Sequence, residues 1–65
     1  MTLYCLIHNH EHGSDAYLFK AEKHIDDGEA AAQLNVDFIL DGVETIDVAP
    51  VVNVKAESVD CPVLD

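Results

Sequence analysis

The chain has no arginine and no tryptophan, and its only strongly cationic side chains are Lys20, Lys23 and Lys55. A surface so poor in positive charge cannot neutralise phosphates, which argues against direct binding of nucleic acid or of anionic lipid. Glycine and proline are equally scarce, at three and two residues. No glycine-rich phosphate loop, dinucleotide fingerprint or low-complexity linker is present. No apolar run approaches the ~18 residues of a membrane span, and no basic segment followed by a signal-type cleavage site stands at the start. The expectation is a cytoplasmic protein of its host cell. The two cysteines, Cys5 and Cys61, are too far apart for a CxxC redox or zinc motif. A reducing compartment makes them free thiols, whereas a disulfide stapling the tail to the first strand belongs to a secreted chain.

What is present fits one small domain. A chain of 65 residues buries only about 60% of the surface its unfolded form exposes. Apolar residues make up 49% of it, drawn mainly from Val, Ile, Leu and Ala with four aromatics, a mixture suited to strands and one short helix.

Thr2 to His8 and Ala16 to Lys20 read as the two strands of a hairpin, with His-Glu-His-Gly-Ser-Asp between them. Asp26-Asp27-Gly28-Glu29 is a capping-box pattern, and Ile25 is placed to staple onto Ala30. The helix so begun runs roughly from Asp27 to Leu34, with Asn35 as its left-handed terminator. Val36 to Leu40 sets Val36, Phe38 and Leu40 at alternate positions against Asp37 and Ile39, Asp41-Gly42 is a hairpin turn signal, and Val43 to Val48 reads as the returning strand. Val51 to Ala56 has the β-branched content of a further, edge strand, and the tail from Glu57 to Asp65 reads as irregular. The order is ββα followed by two or three strands: an α+β fold, a small antiparallel sheet with one helix packed on one face. Its expected core is Leu3, Cys5, Ile7, Tyr17, Phe19, Leu34, Phe38, Ile46 and Val52.

His8, His10 and His12 recur at every second position, so strand alternation would set them on one side, where imidazoles can share a zinc ion with an oxygen from Glu11 or Asp15. At a hairpin tip that alternation breaks down, and the competing reading is a solvated turn whose removal costs little stability. Ser14 beside these histidines and Asp15 does not make a hydrolase, because triad members converge from separated segments. No calcium loop is formed by Asp37, Asp41 and Asp47. The chain reads as non-enzymatic and as needing no cofactor.

Charge is the informative feature. Thirteen acids face three lysines, a formal net charge of −10, and residues 26–65 carry −9 of it. Small domains usually mix both signs within a net charge of about 2 to 8. Such an excess repels itself and draws basic protein surfaces. Carboxylates at alternate strand positions are roughly 6.8 Å apart, close to the spacing of phosphates along DNA. The candidate partner-binding acids are Asp26, Asp27, Glu29, Asp37, Asp41, Glu44 and Asp47.

In size, in this acidic 26–47 segment and in its compact α+β pattern, the chain resembles the small acidic anti-defence proteins of phages and mobile elements. Those include DNA-mimic anti-restriction proteins and anti-CRISPR proteins directed at type I surveillance complexes. The resemblance implies an inhibitor, monomeric or a small homo-oligomer, that fills the Lys/Arg-lined site where a Cascade-type CRISPR complex meets target DNA. The alternatives are a metal-binding or pH-sensing module built on His8, His10 and His12, and an accessory domain whose acids serve solubility alone.

Overall fold

The computed structural model describes residues 1–39 and 42–65. Strands β1 (Thr2–His10) and β2 (Gly13–Ala21) are followed by helix α1 (Asp27–Gln33), strand β3 (Thr45–Pro50) and a 3-10 turn at Ala56–Ser58. The three strands form one antiparallel sheet in the order β2-β1-β3. The short helix packs against that sheet, as the α+β reading expects. Among the described residues no helix is long and apolar enough to cross a membrane.

The hairpin is longer and tighter than its sequence suggested. Pairing continues through His8↔Asp15 to His10↔Gly13, which leaves only Glu11 and His12 as the turn. Gly13 closes it at φ +131°, a conformation that side-chain-bearing residues rarely adopt. The turn is tied further by the His12 backbone N–H, which donates to His10 Nδ1 at 3.2 Å.

Helix α1 starts and stops close to expectation, but its first turn is held differently. Asp26 is the N-cap without a side-chain capping bond, so the expected capping box does not form. Ile25 and Ala30 are both buried in the core, the arrangement of a hydrophobic staple. At the other end Asn35 takes φ 58°. Its N–H reaches Ala32 O at 3.3 Å and that of Val36 reaches Ala31 O at 2.9 Å, a Schellman close.

Of the three segments read as strands after the helix, only the second forms, shifted to Thr45–Pro50. Residues Val36 to Ile39 keep the alternation, with Val36 and Phe38 packed on the core and Asp37 and Ile39 exposed, but they join no ladder. Leu40 and Asp41 of the expected hairpin turn lie outside the described residues. Val51 to Ala56 is not a strand, because Asn53 turns into the left-handed region at φ 65° and the 3-10 turn follows. The tail holds one β-bridge, Val63 parallel to Lys20. Lys20 N–H donates to Pro62 O at 2.9 Å and Leu64 N–H to Lys20 O at 2.8 Å, and Leu64 is buried in the core.

The core itself lies one residue out of phase with expectation along β1. Tyr4 and Leu6, not Cys5 and Ile7, face α1, joined by Phe19, Ala21, Ile25, Ala30, Ala31 and Val48. Tyr4 stacks on Phe19 with ring centroids 5.4 Å apart, which locks this parity. Tyr17, Leu34, Phe38 and Ile46 pack at the rim as expected, Leu3 is buried outside this cluster, and Val52 is 72% exposed.

Candidate functional site

The hairpin ladder extends through His10, so the strand alternation expected to fail at the tip holds as far as His10. His8 and His10 hold strand positions on the helix side of the sheet, and His12 follows in the turn. Their rings stand in a row, with centroids 5.2 Å apart from His8 to His10 and 6.3 Å from His10 to His12. Each has its own carboxylate. His8 Nε2 lies 2.6 Å from Glu44 Oε1, His10 Nε2 3.0 Å from Asp15 Oδ2, and His12 Nε2 3.3 Å from Glu11 Oε1. Burial falls along the row: His8 is 8% exposed, whereas the His12 side chain is 83% exposed. Only the outer end of the row is therefore a solvated turn.

These groups line an open cleft of about 480 Å³ whose lining also includes Asp37, Tyr17 and Val36. Proximity is not coordination. Among the described residues no group of three or more His, Cys, Asp or Glu is placed to hold a metal ion. Two Nε2 atoms are turned to separate carboxylates, and His10 Nδ1 is occupied by a backbone N–H.

Next to this cleft is a second hollow of about 350 Å³, bordered by Asp26, Asp27 and Phe38. Glu44 lines both. Glu11, Asp15, Asp37 and Glu44 thus border the first hollow, and Asp26, Asp27 and Glu44 the second, next to α1. The other candidates are elsewhere. Asp47 pairs with Ile7 in register and so belongs to the opposite face of the sheet. Glu29 accepts from Gln33 Nε2 at 3.4 Å on the exposed side of α1. Asp41 lies outside the described residues. Glu11 and Asp15 were not in the sequence-derived acid set; the hairpin register that brings them in is set by a two-residue turn.

The ion pairs are as informative as the placement. All three among the described residues use histidine, and none joins a lysine to a carboxylate. Thus Asp26, Glu29, Asp37 and Asp47 are exposed with no cation held against them.

The hydrolytic constellation does not assemble. Ser14 Oγ donates to Asn9 Oδ1, and Asn9 Nδ2 donates to Thr45 Oγ1 at 3.1 Å, a polar row across the sheet. By strand alternation that row is on the face opposite His10 and Asp15. Cys5 and Cys61 are free, half-buried thiols. No protein-family model, curated protein or solved structure matches the chain.

Proposed function

We propose that the chain is a non-catalytic acidic binding domain that docks its helix-side acids on the Lys/Arg-lined surface of a nucleic-acid-binding protein and keeps target DNA off it. The resemblance to small anti-defence inhibitors makes a Cascade-type CRISPR complex the first target to test. The observation that carries the reading is the absence of any lysine–carboxylate pair among the described residues of a chain with thirteen acids. Carboxylates left without internal partners keep their field available to an external one.

Exposed contacts of this kind are individually weak, on the order of 0.2–1 kcal/mol. Asp37→Ala alone should therefore change little, while the combined reversal Asp26→Lys, Asp27→Lys and Asp37→Lys should abolish inhibition. Glu44 is left intact because it holds His8. The assay is a mobility-shift competition between labelled target DNA and the protein for the purified complex, with circular dichroism on each variant. Inhibition should also fade as salt rises, since the Debye length is ~8 Å at physiological strength. Folded reversal variants that inhibit like the parent, or DNA and protein bound to the complex together, would refute the mimicry.

One observation supports the histidine reading as a control on the same surface. The three rings lie beside Glu44, Asp15 and Glu11 of the same acid set, so alanine at His10 and His12 tests whether the row contributes to binding of a basic partner.

A further inference from the structure

We infer that the sheet face turned away from α1 is an interface for a second copy of this chain. Antiparallel sheets with one solvated face alternate apolar residues inward with polar residues outward. Strand β1 does not: Leu3-Tyr4-Cys5-Leu6-Ile7 is apolar at both parities, the pattern of a strand covered on both sides. Across the open face the register sets Leu18, Cys5 and Ala49 in one row and Ala16, Ile7 and Asp47 in the next. Leu18 is 41% exposed, Ala16 is exposed, and Cys5, Ile7 and Ala49 are half-buried. The Leu3 end is already closed: Leu3 is buried, and so is Ala56, which borders a hollow with Lys20.

Charge selects the occupant. By alternation the charged strand side chains of this face are Lys20 on β2 and Asp47 on β3, which sum to zero in a chain of net charge −10, with Glu57 of the tail bordering the hollow beside Lys20. A basic partner finds one strand carboxylate here and six acids bordering the hollows beside the helix. A second copy instead brings an apolar face whose strand charges cancel against its like, with the acid-bordered hollows of both copies pointing outward. Lys20 and Asp47 occupy diagonal corners of the face. A two-fold axis in the plane of the face, passing over Cys5 at right angles to the Lys20–Asp47 line, sets Lys20 of each copy over Asp47 of the other. Strands then cross steeply, closer to the orthogonal than to the aligned sheet-on-sheet packing, and the contact is isologous and closed.

The inference is independent of the proposed function, and salt separates the two, because self-association of an acidic chain tightens as salt rises while binding to a basic surface weakens. Sedimentation equilibrium of the full chain from micromolar to millimolar concentration should show monomers and dimers, with more dimer in high salt. Leu18→Glu should weaken dimerisation by more than about tenfold. In a Cys61→Ser background, a short bismaleimide should link Cys5 to Cys5 of the second copy. Should Leu18→Glu fail to fold, dilution of the parent protein followed by NMR locates the contact without mutation, and the changing signals should be those of Cys5, Ile7 and Leu18. A monomer at every concentration in high salt overturns the inference, as does a folded Leu18→Glu that dimerises like the parent or concentration-dependent shifts confined to α1 or the histidine row.

Discussion

Replacing His8 with alanine tests whether the histidine row is a piece of the fold or a decorated turn. The His8 side chain is 10% exposed, and its partner Glu44 is 17% exposed at 2.6 Å. Hydrogen bonds to charged groups contribute about 1.5–3 kcal/mol net. Glu44 retains some access to water and can rehydrate, so the loss should fall at the lower end, about 1.5–2 kcal/mol. A domain of this length has roughly 3–10 kcal/mol of stability in all, at 0.05–0.15 kcal/mol per residue. One imidazole therefore carries a substantial share. With a urea m-value near 1 kcal/mol/M, the midpoint should fall by about 1.5–2 M, and the melting temperature by roughly 6–16 °C. His12→Ala, at a ring that is 83% exposed, should leave the midpoint where it was. A double-mutant cycle with Glu44→Gln should return a coupling above about 1 kcal/mol. If His8→Ala unfolds within experimental error of the parent, or the cycle shows no coupling, the buried pair contributes nothing and the sequence-level view of a solvated turn was the better one.

Leu64→Ala should destabilise by about 2–3 kcal/mol in urea titrations, within the range for buried leucines, and should raise hydrogen exchange at the Lys20 amide, which bonds to Pro62 O. At Asn35, φ 58° favours glycine, so Asn35→Gly should be neutral or mildly stabilising, while Asn35→Val should cost about 1–2 kcal/mol of unfolding free energy. Because acids outnumber lysines thirteen to three, self-repulsion should be relieved by salt, and calorimetry should show the melting temperature rising from low to moderate sodium chloride.

Local chemistry was legible in the sequence at Gly13 in the hairpin and at Asn35 at the helix end, which sit where backbone geometry requires them, but not at Asp26, whose side chain makes no capping bond. The parity of β1 was not legible, because Leu3 to Ile7 offers an apolar residue to either face. It is decided by tertiary partners, the Tyr4–Phe19 stack and the helix above it. In the 36–39 segment the side-chain alternation was read correctly, yet a ladder needs a neighbouring backbone, which alternation cannot report. The Glu44–His8 pair was within reach of sequence reasoning: a returning strand with Ile46 inward also points Glu44 inward. That step was obscured by treating Glu44 as one of a set of free acids.

The distribution of charge bears on why a marginal domain tolerates so much of it. If the acids served solubility alone, the open sheet face is where they would cost least. Ala16 and Leu18 are exposed there, so a glutamate at either would cover apolar surface without disturbing the core. Neither position carries a charge, and the strand charges of that face sum to zero. Six of the thirteen acids instead border the two hollows beside the helix, from Glu11 at the hairpin turn to Asp27 at the start of α1, where like charges repel one another. Crowding like charges on one side while leaving leucine in water on the other works against both stability and solubility. On the two proposals made above, each side has a partner of its own kind, one cationic and one apolar. The two sides therefore answer to opposite conditions, low salt favouring the first contact and high salt the second, and a general solubility role predicts neither response.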